Sequence, residues 1–384
     1  MRFPEFTEGW ATKSISDLAT VTGGGTPDTT VKSYWNGDIQ WFTPSEIGKN
    51  KYVDLSLRTI TEEGLNNSSA KLLPPYTILL SSRATVGECS IALQECATNQ
   101  GVQSLIAKNC DIDFLYYLIQ TKKKELIRKA CGSTFLEISA NEIRKIHTYV
   151  PSINEQKKIG VLLSLIDKRI DTQNKIIEKL ETLIKGIVDS IFTANKFPKV
   201  PFKEIYVRAG EGGTPATSNP EYYDNGTIPF IKIDDLQNKY IKTNKDCITE
   251  LGLQKSSAWI VPANSIIYSN GATIGAISIN LFPVCTKQGI LGVVPKADIN
   301  VEFLYYFMTS TAFTKAVERI VTEGTMRTAY LKDINHIPCP VPYPVKQDEI
   351  AKMLSTLSEK LENEVIFQMK LQKRKEFLLS QMFI

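Results

Sequence analysis

The sequence predicts an α+β protein in which two similar globular domains are separated by two long antiparallel helices, forming a pseudo-twofold internal repeat. Three observations carry this expectation. An apolar series with heptad spacing runs through the middle of the chain, a second and less regular one closes it, and the segment before the first recurs in order before the second.

The middle segment, Ile153 to Phe192, places Ile159, Leu163, Ile166, Ile170, Ile177, Leu180, Ile184, Ile187 and Ile191 alternately four and three residues apart, with only Gln173 interrupting. That spacing marks a heptad seam. At ~1.5 Å per residue such a helix is about 60 Å long, too long to be buried inside one small domain, so it is expected to separate two.

Ahead of it, Trp10–Leu18 leads to a glycine segment, Gly23-Gly24-Gly25-Thr26-Pro27, and to an aromatic run with Tyr34, Trp35, Trp41 and Phe42. Then come Ile60-Thr61-Glu62-Glu63-Gly64-Leu65, a strand-like Thr77–Leu80, the polar loop Ser81-Ser82-Arg83-Ala84-Thr85-Val86-Gly87, and Thr98-Asn99-Gln100-Gly101. Phe114-Leu115-Tyr116-Tyr117 opens a helical stretch reaching Gly132, and Ile143–Pro151 joins the long helix. Short β-type runs punctuated by glycine and proline, with few helices, read as an α+β domain.

The same order returns 188 to 191 residues later. Gly212-Gly213-Thr214-Pro215, Tyr222-Tyr223, Ile248–Leu253, Ser269-Asn270-Gly271-Ala272-Thr273-Ile274-Gly275, Thr286-Lys287-Gln288-Gly289 and Phe303-Leu304-Tyr305-Tyr306 each answer their counterparts. Pro342 with Gln347, Ile350, Leu354, Leu357 and Leu361 repeats Pro151 with Gln156, Ile159, Leu163, Ile166 and Ile170. The expected boundaries are 1–151 and 196–342 for the domains and 152–195 and 343–384 for the helices. In the second helix Glu364, Gln368 and Lys375 fall where the first has Gln173, Ile177 and Ile184, so its seam is expected to shift onto Val365 and Met369 or to face another protein.

Composition narrows the function. With 42% hydrophobic and 22% charged residues the chain is ordinary globular protein, no apolar run approaches a membrane span, and the first ten residues lack the pattern of a signal peptide. A cytoplasmic, membrane-free protein is expected. The seven cysteines are scattered and form no CxxC pair, which suggests neither a disulfide framework nor a zinc site. Two histidines, His147 and His336, leave little material for histidine-based catalysis. The net charge of +4 is nowhere concentrated into a basic tail, so any nucleic-acid surface must be assembled by folding.

The duplicated order of Gly-Gly-Thr-Pro at 24–27 and 212–215, Ser82-Arg83-Ala84-Thr85-Val86-Gly87 and its weaker copy, Thr98-Asn99-Gln100-Gly101, the Phe-Leu-Tyr-Tyr pair, and Pro151-x4-Gln156-x2-Ile159 resembles the specificity (S) subunit of type I restriction–modification systems. The resemblance covers nearly the whole chain. It implies two target-recognition domains, each reading one half of a split double-stranded DNA site, and helices that set the spacing and dock two modification (methyltransferase) subunits, with restriction (translocase/nuclease) subunits completing the complex. It implies no cofactor on this chain: S-adenosylmethionine, ATP and Mg would belong to partner subunits. The irregular second seam, and Lys287 where the first copy has Asn99, depart from the internal pattern.

Read as chemistry, Gly-Gly-Thr-Pro suits a turn needing positive φ before a rigid residue and lacks the elements of a P-loop. Arg83 could grip guanine or phosphate, and its counterpart is Gly271, so the scaffold does not require it. The run Lys122-Lys123-Lys124 with Arg128 and Lys129 would cover one helix face, solvated or touching phosphate. Leu73-Pro74-Pro75-Tyr76 is similar to the catalytic loop of amino-methyltransferases but lacks its leading Asp or Asn, and a proline turn is the better reading. Pro27-Asp28 has no Glu-x-Lys nearby to build a nuclease. A methyltransferase or nuclease acting by itself, and a coiled-coil scaffold, are the alternatives. The candidate DNA-binding residues are Lys32, Tyr34, Trp35, Ser82, Arg83 and Asn99 in the first copy, and Tyr222, Tyr223, Lys232, Asn270, Lys287 and Arg327 in the second. Leu162, Ile176, Leu183, Met353 and Val365 are the candidate partner-facing residues on the helices, and no catalytic or metal-binding residue is expected.

Overall fold

The strand Ile78–Ser81 is buried on both faces, and its alternation shows why. Ile78 and Leu80 point into one core with Leu105, Phe114, Tyr117 and Leu163, whereas Leu79 points into another with Phe42, Leu73 and Val102. A continuous apolar strand of this kind needs a layer on each side. The computed structural model describes residues 2–132, 136–194, 197–271, 273–321 and 327–383.

Two units divide the chain. One comprises Met1–Asn174 with Phe367–Ile384, the other Lys175–Ile366. In the first, a five-stranded sheet runs in the spatial order Ala19–Gly23, Val102–Ala107, Ile78–Ser81, Cys89–Ala92, Tyr52–Val53. A three-stranded sheet sets Arg58–Ile60 and Cys96–Thr98 on either side of Trp35–Phe42, and Ala11–Ser14 pairs with His147–Val150. The helix Ile112–Thr121 and the long helix Ile153–Ala194 cover the outer face of the five-stranded sheet. The second unit repeats this order: Tyr206–Glu211, Ile290–Pro295, Ile266–Ser269, Ile277–Asn280, Tyr240–Ile241 form its larger sheet, and Asp246–Ile248, Ile228–Ile231, Cys285–Thr286 its smaller one. Ile266 and Tyr268 face one core and Ile267 the other, as in the first unit.

The second long helix spans Pro344–Met382. Within the first unit it runs antiparallel to the first long helix, since Leu378 and Met382 share a core with Leu163 and Ile159 while Phe367 lies beneath Arg169. Within the second unit Ile350 and Leu354 pack with Val188 and Phe192. The first seam is as expected to Ile184, with Gln173 buried inside it, but at its end Val188 and Phe192 are the buried residues, and Ile187 and Ile191 only flank them. A straight helix of 3.6 residues per turn drifts off a 3.5-residue repeat, and the buried stripe follows the drift.

The second seam does not shift as expected. Val365 and Met369 are exposed, whereas Glu364, Gln368 and Lys375 stay on the half-buried stripe between Leu361 and Leu378. Polar side chains can hold a seam position when they find partners there, and Lys375 pairs with Asp167 at 2.7 Å.

The proline–glutamine motif has a clear cause. Gln156, buried, donates from Nε2 to the Pro151 carbonyl at 2.9 Å and accepts from the Asp111 amide at 3.0 Å, so it fastens the start of the long helix to the cap of the Phe-Leu-Tyr-Tyr helix. Gln347 repeats this with Pro342 at 2.8 Å and Asn300 at 2.9 Å. Among the described residues no helix is long and apolar enough to cross a membrane.

Candidate nucleic-acid interface

The glycine segments are not positive-φ turns. Neither Gly24, Gly25, Gly212 nor Gly213 is among the residues with positive φ. They lie close against other backbone: a Cβ on Gly24 would meet the Asn99 carbonyl at 2.3 Å, one on Gly25 the Ala70 amide at 2.3 Å, and one on Gly213 the Ala258 amide at 2.4 Å. The requirement for glycine is close approach. It seats Thr26 beside the turn after Cys96–Thr98, where its hydroxyl bonds to Gln100 and accepts from Asn99 Nδ2 at 3.0 Å.

Around this seat the first unit gathers a polar rim. The Ser82 amide donates to the Gly101 carbonyl at 2.9 Å, and Gly101 stands between Asn99 and Arg83. Asn99 also accepts from the Gly101 amide at 2.7 Å, so it shapes the turn as well as bordering solvent. Arg83 Nε and Nη2 both donate to Glu137 Oε2, at 3.2 and 2.7 Å, with both side chains about 40% exposed. Lys32 is exposed nearby in sequence, on the short turn Lys32–Tyr34.

Three candidates belong to the scaffold instead. Ser82 and Asn270 are buried, with Asn270 Nδ2 donating to the Ala329 carbonyl at 3.1 Å. Trp35 is buried edge-on against Trp41, and its indole donates to the Asp28 carbonyl at 3.1 Å. Burial takes all three away from direct contact with a duplex. Tyr34 and Tyr222 are half-buried, their carbonyls accepting from Thr61 and Thr249 at 3.0 and 2.9 Å. Tyr223 repeats Trp35, its hydroxyl donating to the Pro215 carbonyl at 2.6 Å, and burial raises its pKa.

In the second unit Gln288 reaches Thr214 Oγ1 through its amide at 3.3 Å, so the same rim forms. Lys287 is exposed next to Gln288, Arg327 is exposed elsewhere in the unit, and Lys232 is held by Asp246 at 2.9 Å. The Lys287 amide donates to the Ile231 carbonyl at 3.0 Å, which places Lys287 beside Lys232. Ala272 of this loop lies outside the described residues.

The lysine run does not form one helical face. Lys122 caps the break between Ile112–Thr121 and Lys123–Lys129, Lys123 pairs with Glu88, and Lys129 lies 3.7 Å from Glu142. Leu73-Pro74-Pro75-Tyr76 is a turn, as expected: Leu73 bridges to Cys96, Tyr76 takes φ +62°, and Asn264 takes the corresponding +59° in the second unit. Asp28 accepts from the amide and hydroxyl of Thr30, bonds that hold its carboxyl below the usual range. Among the described residues no group of three His, Cys, Asp or Glu side chains is arranged to hold a metal ion.

Residues 7–182 and 199–370 both match the family described as the type I restriction modification DNA specificity domain. The chain belongs to this family. It is similar to the MjaIX specificity subunit of a type I restriction enzyme from Methanocaldococcus jannaschii, with 30% identity over 96% of this chain and 91% of that one. Among solved structures, its fold is like that of a type I restriction–modification S subunit from M. genitalium (TM-score 0.59, 16% identity, covering 100% of this chain and 99% of that one). It is also like a chain from a study of complex assembly in a type I system (TM-score 0.65, 13% identity, covering 98% of each). The protein is a type I specificity subunit with two tandem recognition domains.

On the helices of this specificity subunit, Ile176, Leu183, Met353 and Val365 are exposed. Leu162 is not: it is half-buried against the core of the first unit, beside the fully buried Leu163. Val161 and Leu165, which sequence reasoning passes over, are exposed. It also misses two arginines stacked on tryptophans, Arg58 at 3.6 Å from the Trp35 ring and Arg208 at 4.1 Å from Trp259. Stacking holds a guanidinium plane in place while its edge remains free to bond. A third omission, Lys51 and Lys239, has a visible signal: each is followed by tyrosine, 188 residues apart.

Proposed function

We propose that this subunit reads double-stranded DNA as two unrelated half-sites, one per recognition domain, and carries no chemistry of its own. One observation supports the reading most. The scaffold bonds recur at matching positions in both units, whereas the rim side chains differ: Arg83 answers Gly271 and Asn99 answers Lys287, and elsewhere Leu136 answers Arg327. Identical frames with different edges are what an asymmetric bipartite site requires. Arg83, Asn99 and Lys32 are the base- or phosphate-contacting candidates of the first domain, and Lys232, Lys287 and Arg327 of the second. A good bidentate contact discriminates by about 1–3 kcal/mol, so two half-sites together give usable selectivity.

Methyl transfer, and any cutting or translocation, would reside in partners: two modification subunits, one per helical repeat, and restriction subunits. S-adenosylmethionine, ATP and Mg would bind there. The exposed apolar residues Ile176, Leu183, Met353 and Val365 are the surface proposed for the modification subunits. The setting would be cytoplasmic.

The test is co-expression with the cognate modification subunit, followed by sequencing of methylated genomic DNA. One split motif with two unlike halves is expected. Methylation by this chain alone, or a palindromic motif, would overturn the reading, and light scattering with no complex at micromolar concentration would overturn the docking surface.

A further inference from the structure

Each unit ties its sheet to its long helix through one buried lysine, and the two ties are built alike. Lys51 Nζ lies 2.6 Å from Asp113 Oδ1, 2.6 Å from Ser164 Oγ and 3.2 Å from Tyr117 Oη. In the second unit Lys239 Nζ lies 3.2 Å from Glu302 Oε2, 2.8 Å from Ser355 Oγ and 3.1 Å from Tyr306 Oη. The lysine side chains are only 9% and 7% exposed, and each ammonium also lies over the ring of its tyrosine, at 4.7 and 4.8 Å. The lysine immediately precedes the edge strand of the larger sheet, the acid and tyrosine belong to the Phe-Leu-Tyr-Tyr helix, and the serine belongs to the long helix.

We infer that Lys51 and Lys239 are positioning residues that fix the angle of each recognition domain on its long helix and so sharpen the spacer length the complex accepts. This rests on the bipartite reading above. Holding a sheet against a helix needs only apolar packing, which already surrounds both sites. A buried ammonium adds direction: its donors must meet a carboxylate, a phenol and a hydroxyl on two separate elements, so rotation of the sheet breaks bonds that sliding of apolar surfaces would not. The burial of a charge in both copies, at matching positions and with matching partner types, is costly unless that geometry is used. The long helices then transmit the orientation, since Asp167 lies on the turn after Ser164 and Ser358 on the turn after Ser355, and their side chains bond to the hydroxyls of the same two tyrosines.

The experiment uses the full chain assembled with its modification subunit and a set of duplex oligonucleotides that share both half-sites and differ by single base pairs in the spacer. The reading is the ratio of methylation rate at the preferred spacer to the rate one base pair away. Lys51→Met and Lys239→Met keep the stem and remove the ammonium. Each is expected to lower that ratio at least threefold while the bases preferred in both half-sites stay the same. A spacer profile as sharp as wild type in an assembled variant would overturn the inference, as would a change in half-site bases. Tyr117→Phe, which removes only a hydroxyl, decides the matter in the same way where Lys51→Met does not assemble, and failure of both to assemble would make the cluster a folding determinant and overturn the inference. Absence of any sequence-specific methylation by the wild-type complex would instead strike the bipartite reading itself.

Discussion

Lys375 on the second long helix and Asp167 on the first meet at 2.7 Å within one unit, with Lys375 in a seam position where heptad spacing alone calls for an apolar residue. Asp167 also accepts from Tyr117 Oη at 2.6 Å, so the pair extends the Lys51 cluster. Both side chains are less than one-fifth exposed. Removing one partner leaves a charge with poor solvation, so Lys375→Met should destabilise the protein by about 2 kcal/mol, less than a fully buried pair would lose. A double-mutant cycle with Asp167→Asn checks it: a coupling below about 0.5 kcal/mol would mean that the pair is incidental.

Glu302 gives a pH signature. Burial pushes its carboxyl up, but hydrogen bonds from Ser355 and Tyr240 and the Lys239 charge outweigh this and leave it below its ordinary value of 4.5. A carboxyl whose folded pKa is depressed contributes stability that is present above the unfolded pKa and disappears as pH falls through the folded one. Glu302→Gln should therefore lower the melting temperature near neutral pH, and the gap to wild type should close progressively below pH 4.5. A gap independent of pH would assign the effect to packing.

Arg83 tests the rim. Arg83→Ala should weaken or relax recognition of one half-site by about 1–3 kcal/mol and leave the other unchanged, measured as mobility shifts of the assembled complex on half-site variants. Equal loss on every sequence would make Arg83 a phosphate contact. Because Arg83 is held by Glu137 on an exposed edge, the melting temperature should move little.

The long helix is expected to act as a ruler. Four residues inserted after Ile170 add ~6 Å of helix and turn the downstream part of the chain by ~40°. On DNA rising ~3.4 Å per base pair, the variant should keep both half-sites and prefer a spacer longer by one or two base pairs. Methylation of the spacer series decides it. An unchanged optimum in a folded, assembled variant would reduce the helices to connectors.

Much of this architecture is legible along the chain, because it is written in local or periodic form. The 188-residue recurrence announces two like domains, and the seam from Ile159 to Ile184 announces the first long helix. Periodicity, however, reports which residues share a face and not what meets that face. Glu364 and Lys375 therefore look like breaks in the second seam, although the opposing helix supplies Asp167 to one of them. The rim is harder still. Arg83 and Asn99 stand out as copy-specific or polar, but Ser82 and Asn270 have the same look and lie buried.

By itself the sequence determined the duplication, the order of elements and the family, since these depend on residue identity along the chain. Tertiary structure alone decided which polar groups are buried in the scaffold and which are exposed. The glycines of Gly-Gly-Thr-Pro answer to backbone some 45 to 75 residues away, Arg83 to a carboxylate 54 residues on, and Lys51 to a hydroxyl 113 residues on. Burial and pairing are properties of neighbours in space, and at those separations no spacing rule can name the neighbour.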